Sequence, residues 1–334
     1  MRTEYEDFFR ERRRDFPSLS QRVDGFPIAY FDGPGGSQVP QAVIDAITWY
    51  YRTCNANVHG GFLASRKTDG VLEETRAAVA DFLNASSSAE ISFGANMTTL
   101  NCFLSWAVGR LFSQGDEVVI TQLDHEANRG PWLRLREQGV NVREVAMLPD
   151  GTLDYQDFEA KVNKRTRLIA VGLASNSLGT VNDAAFIREA ASQSGALLLY
   201  DAVHYAPHFS VDVASLGADF LLCSAYKFYG PHVGILYSRN GLLEQLQTDR
   251  LRTQEEKAPY RIETGTLNHA CISGVKAAVE YVAGLGEGRT LRSRVVSAMH
   301  KLGEHEYFLA KRLYSGLGEI EGLSTYGPGF EKTL

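Results

Sequence analysis

The chain has 334 residues, 44% of them hydrophobic, a formal net charge of -6 and four cysteines. That length and apolar content suffice for a large core and, at roughly 100 to 200 residues per domain, for two units. Acids and bases are interspersed, and the one basic cluster, Arg10, Arg12, Arg13 and Arg14, is diluted by Glu11 and Asp15, so neither nucleic acid nor a membrane surface is expected as a partner.

The opening segment is charged, and no run approaches the roughly 18 apolar residues of a membrane span, so neither signal peptide nor anchor is expected. Cys54, Cys102, Cys223 and Cys271 stand far apart without CxxC spacing, mostly among apolar neighbours. This suits reduced thiols and a cytoplasmic location better than disulfides or zinc.

In chain order, Ala29-Tyr30-Phe31 leads into a turn-rich stretch, Asp32-Gly33-Pro34-Gly35-Gly36-Ser37, and then a helical pattern over residues 40–51. A second helix is predicted over 69–83. Short apolar runs then alternate with amphipathic stretches: strands at 90–93, 117–121, 142–145, 168–173, 196–200 and 220–223, and helices to about 111, through 132–137 and over 184–194. The order predicts an α/β fold with a doubly wound, mainly parallel sheet. Residues 1–25 read as an N-terminal arm and 26–283 as the large ligand-binding domain. Residues 284–334, with a long charged helix over 290–314, read as the start of a smaller domain, incomplete at Leu334.

Polar residues gather just after the apolar runs, where open α/β sheets bind ligands. Lys227, in Ser224-Ala225-Tyr226-Lys227-Phe228-Tyr229, lies three residues past one run among aromatic neighbours, a setting in which desolvation lowers an amine's pKa. Asp201 ends another run. An amine for a Schiff base and a carboxylate that keeps a pyridine nitrogen protonated are what pyridoxal 5'-phosphate requires. Ala95-Asn96-Met97 lies between a strand and a helix start, where free N–H groups attract phosphate. His125 can stack on a flat ring, Asn176 can donate to a ring oxygen or a carboxylate, and His204 can donate to a phenolic oxygen. Plainer readings stand beside these: a surface lysine, a helix cap at Asp201 or Asn96, a structural histidine, a turn asparagine. Asp201, His204 and His208 also have the spacing of a metal face, without an obvious fourth ligand. Asn57 and His59 read as substrate-side residues or a polar loop.

Together these stretches resemble the class V branch of fold-type I pyridoxal-phosphate enzymes, and within it the cysteine desulfurase-like proteins. The resemblance runs from about Phe16 to Ala283 and is carried by YFDGPGGSQVP, NANVHGG, FGANMTTLN, GDEVVITQLDHEAN, ASNSLGTVND, DAVHYAPH, SAYKFYGPHVG and ETGTLNH in that order. It implies that Lys227 forms the internal aldimine, Asp201 pairs with the pyridine nitrogen, and His125 stacks on the ring. His204 and Asn176 then reach the phenolic oxygen, Asn176 also the substrate, while Ala95, Asn96, Met97 and Ser224 belong to the phosphate cup. Thr266 matches a threonine that reaches the neighbouring subunit's phosphate, which implies a homodimer.

Departures accompany the match. Tyr226 stands where such proteins commonly have histidine, and His204 where they have glutamine. Their persulfide-forming cysteine and carboxylate-binding arginine belong to a C-terminal segment not matched here, and none of the four cysteines corresponds to that nucleophile. The resemblance therefore implies the cofactor and an amino-acid substrate. It leaves open desulfuration, transamination, epimerisation, β-elimination, or an inactive cofactor-binding chain. A nicotinamide dehydrogenase is disfavoured because Gly33-Pro34-Gly35-Gly36-Ser37-Gln38 misses the third glycine of GxGxxG.

Overall fold

A computed structural model of the protein describes residues 5–330. Its helices are α1 (Glu6–Arg12), α2 (Gln41–Thr53), α3 (Leu63–Leu83), α4 (Met97–Gly109), α5 (Glu126–Leu133), α6 (Tyr155–Lys161), α7 (Ala184–Ser194), α8 (Val213–Leu216), α9 (His269–Gly284) and α10 (Leu291–Gly318). A two-stranded ribbon, β1 (Arg22–Val23) and β2 (Phe26–Pro27), precedes the main strands. These are β3 (Ile91–Gly94), β4 (Glu117–Thr121), β5 (Asn141–Val145), β6 (Thr166–Gly172), β7 (Leu197–Asp201), β8 (Phe220–Ser224) and β9 (Gly234–Ser238).

Among the described residues the seven strands from β3 onward form one sheet in the order β3-β9-β8-β7-β6-β4-β5, parallel except for β9, which runs antiparallel to both neighbours. The alternation of side chains along each strand explains the apolar runs. Val119, Ile169, Val171, Leu198, Tyr200, Leu221 and Cys223 face the core under α3, α7, α9 and α10. Val118, Ile120, Leu168, Ala170, Leu199, Phe220 and Leu222 face the other, against α4 and Trp132. Both faces are covered, so the strands are apolar throughout.

Several element bounds differ from expectation. Helix α3 begins at Leu63, six residues before the predicted start, because its N-cap, Phe62, makes no side-chain cap and leaves no signal in the sequence. The strand expected over 196–200 runs through Asp201, which places that acid on the ladder opposite Gly172 and Leu222. Helix α10 opens on a capping box between Thr290 and Ser293. Its Val295, Ala298, Met299 and Leu302 join the main core, as Phe8 and Phe9 of α1 pack against it. No helix among the described residues is long and apolar enough to cross a membrane.

Strand β3 lies at the sheet's edge, and its outward backbone groups are satisfied by a buried ion pair. Arg76 donates to Ile91 O at 2.6 Å and to both Glu263 oxygens at 2.7 and 2.8 Å, while Phe93 N donates to Glu263 at 2.7 Å. The guanidinium is also flanked by the Phe93 and Tyr260 rings, at 4.9 and 5.1 Å. The pair closes an edge that would otherwise stay open. Arg76→Met strands Glu263 in the interior, and the expected loss is about 3–5 kcal/mol in urea unfolding.

Candidate active site

After β4 the chain goes outward to β5 and then returns to place β6 on the other side of β4. Such a reversal opens a crevice at the strands' carboxyl ends. The crevice here is a cavity of about 410 Å³. Of the expected site residues, Asn96, Met97, His125, Asn176, Asp201, His204, Ser224 and Lys227 all line it.

Asp201 ends β7 and is buried, with Val203 N donating to its Oδ1 at 2.9 Å. Burial pushes its carboxyl up to about 6, against the Val203 amide and the nearby charge of Lys227. The position suits a carboxylate awaiting a cationic partner. Lys227 follows β8 in a short 3-10 turn, its amine 4.9 Å from the centre of the Tyr226 ring and donating to Pro34 O. Partial burial lowers its pKa, opposed by the charges of Asp32 and Asp201. Tyr226, at the departure noted above, stacks on His232 with centroids 4.8 Å apart.

The start of α4 also borders the cavity. Asn96 caps this helix, its Oδ1 accepting from Thr99 N at 2.8 Å, and Met97 N donates to Ser224 Oγ at 3.2 Å. The loop comes this close to β9 because residue 234 is glycine; a Cβ there would meet the Asn96 carbonyl carbon at 2.3 Å. Amides at the head of a 13-residue helix, beside a hydroxyl, suit a phosphate. His125 caps α5, its Nδ1 accepting from Ala127 N at 3.0 Å, so in the neutral ring Nε2 carries the proton.

Other residues lie elsewhere. Ala95 and Thr266 line a second cavity of about 260 Å³ with His232. Asn57 and His59, together with Thr266, line a third of about 350 Å³ between Arg76 and Leu251. His59 is tied to α3, its backbone N donating to Asp69 at 3.0 Å. His208 does not join Asp201 and His204 around a common point: its Nδ1 lies 2.9 Å from Glu306 on α10. Among the described residues no group of three His, Cys, Asp or Glu side chains is placed to hold a metal ion.

Sequence reasoning gave no role to Asp32, Asp124 or Asn182, which also line the main cavity. Asp124 spans the crevice floor, accepting from Thr121 N at 2.9 Å and from Gly172 N where β4 and β6 part. Its carboxyl is pushed up to about 7 by burial, with Asp201's charge adding and the two amides opposing. Asn182 donates to Gly172 O at 2.7 Å. Their signal was present, since Asp124 adjoins His125 and Asn182 falls within ASNSLGTVND, but neither sits immediately after an apolar run.

A doubly wound sheet with a lysine, a buried aspartate and a helix N-terminus around one crevice defines a fold-type I enzyme of the pyridoxal-phosphate-dependent class. The profile of the family described as aminotransferase class-V matches residues 29–333. A probable cysteine desulfurase of Halalkalibacterium halodurans is 33% identical over 95% of this chain and 79% of its own length. A cysteine desulfurase of Enterobacter sp. is 36% identical over 96% and 80%. The apo cysteine desulfurase of Thermococcus onnurineus superposes with a TM-score of 0.86 at 29% identity, covering 99% of this chain and 80% of that one. The chain belongs to the aminotransferase class V family and is a cysteine desulfurase-like enzyme.

Proposed function

We propose that this chain binds pyridoxal 5'-phosphate in the 410 Å³ cavity and acts at the α-carbon of an amino acid, with cysteine the first candidate substrate. The carrying observation is that Lys227, Asp201, His125 and the head of α4 all open on that one space. When bound, the cofactor supplies an electron-accepting ring that acidifies the substrate's Cα–H bond.

The rest is done by the chain's own groups. Lys227 holds the cofactor and, once released, moves the proton at Cα; its lowered pKa brings the amine toward the working range of a base. Asp201 offers a carboxylate to the ring nitrogen, and His125 presents the ring face with an Nε2 proton to give. Asn176 and His204 serve the phenolic oxygen. Met97, Asn96 and Ser224 serve the phosphate, with Ala95 on the far side of the same loop.

None of Cys54, Cys102, Cys223 and Cys271 lines this cavity, and burial raises the Cys223 thiol further from ionisation. β-Elimination, transamination and epimerisation require no thiol, and this favours them as the second reading. Titrating the loaded protein with a panel of amino acids, cysteine included, while assaying sulfide, pyruvate and ammonia separates the outcomes. A visible spectrum that no amino acid changes would sink the proposal.

The same reading gives Thr266, Asn57 and His59 to the cavity of a second copy, because they are exposed and line spaces apart from Lys227. A homodimer by light scattering is expected. Thr266→Ala is expected to weaken cofactor retention about tenfold, in line with ~1.5 kcal/mol for a hydrogen bond to a charged group, and retention unchanged would remove Thr266 from the phosphate site.

A further inference from the structure

Behind the cavity wall a second set of titratable groups leads away from Lys227. The chain after β7 makes a helical turn, with Ala206 N donating to Ala202 O at 2.8 Å and Phe209 N to Tyr205 O at 3.0 Å. That turn sets His204 and His208 four residues apart on one side, their rings edge to face with centroids 5.1 Å apart. His204 lines the cavity, and His208 reaches the other way, to Glu306 Oε2 on α10 at 2.9 Å. Glu306 lies past the buried part of α10, whose core residues end at Leu302. It lies outside those core residues, and its contact with His208 asks for another account.

Resting on the cofactor reading above, we infer that Glu306, acting through a charged His208, disfavours a charge on the cavity imidazole of His204 and makes α10 part of the site. Both are positioning residues, because neither lines the cavity. An uncharged His204 keeps one nitrogen as donor and one as acceptor, and can follow the charge of a phenolic oxygen in either direction. A charged one would be donor only, fixed against that oxygen.

The electrostatics agree. Burial would lower His208, but the hydrogen bond and charge of Glu306 raise it. His204 is pushed down to about 4, first by burial, then by the charges on His208 and Lys227. The charged and titratable groups facing this array are Lys227 from the turn after β8, Glu306 and the neighbouring His305 from α10, and the buried Tyr229, itself raised by burial and by Glu306.

Glu306→Gln isolates the effect, since it leaves the burial of His204 and the amine of Lys227 in place. Histidine titration by nitrogen-15 NMR on the cofactor-free protein reads His204 directly. Where the variant leaves His208 neutral, losing a cation at the observed ring separation is expected to raise the His204 midpoint by about 0.6 to 2.4 pH units, for effective dielectrics of about 80 to 20. Glu306→Asp is expected to restore much of the shift. A His204 midpoint the same in wild type and Glu306→Gln, with His208 lowered, overturns the inference. On the cofactor-loaded protein, the pH midpoint of the visible spectrum is expected to move in Glu306→Gln, and no movement also overturns it. A wild type that takes up no cofactor defeats the cofactor reading instead, and the NMR titration still decides the coupling.

Discussion

Replacing Lys227 with alanine is expected to abolish borohydride-trapped cofactor on the chain and to reduce turnover of any amino acid by about 10²–10⁴ or more, the span general acid–base groups contribute. The amine is the basic group that the cavity holds beside its two histidines. Its surroundings are specialised: an aromatic ring at 4.9 Å, partial burial that lowers its pKa, and the Pro34 carbonyl as its hydrogen-bond acceptor. Arginine cannot substitute, being permanently charged and unable to act as nucleophile or base. The measurement is peptide mapping after borohydride, with absorbance in parallel. Label found on another lysine, or turnover surviving in Lys227→Ala, would remove the residue from the chemistry.

How much of this was legible depended on burial and on sequence distance. The parallel strands announced themselves because both sheet faces are covered, which turns β4, β6, β7 and β8 into continuous apolar runs bounded by polar residues. Strand β9 is bounded by polar residues too, His232 before it and Ser238-Arg239-Asn240 at its end, but no α-helix separates it from β8. It follows Gly230-Pro231-His232 and returns antiparallel, so it breaks the alternating rhythm from which the others were read. Helix α9 is hidden for the opposite reason: ten of its residues, from His269 to Ala283, are buried, and little polar face remains to show a period of 3.6.

The site divides along the same line. Lys227, Asp201, His125 and Asn176 sit within a few residues of a strand end, so reading the strands located them. Asp124 is one position from His125, yet its role depends on Gly172, 48 residues on, and on the parting of β4 from β6. His208 was readable only as a companion of His204 in a possible metal face. Its actual partner, Glu306, is 98 residues away on a helix whose sequence says nothing about where it docks.

Asp201→Asn is expected to move stability and activity in opposite directions. With its carboxyl pushed up to about 6, against ~3.9 in an unfolded chain, the native protein binds more protons than the unfolded one between those values. Stability of the cofactor-free protein therefore falls as pH rises from about 4 to about 6, and at pH 7 the buried charge costs on the order of 2–3 kcal/mol. Asparagine keeps an oxygen for Val203 N and removes the charge. The variant is expected to unfold at a higher temperature than wild type at pH 7, and at a similar one near pH 4, by calorimetry without cofactor. Turnover is expected to drop roughly 10²–10³-fold, the usual cost of removing a preorganised electrostatic partner, because an amide cannot hold a ring nitrogen in its protonated state. A variant both destabilised at pH 7 and fully active would mean that the carboxylate is paired within the protein and serves the fold. Stabilisation with loss of turnover assigns the strain of this buried acid to the reaction.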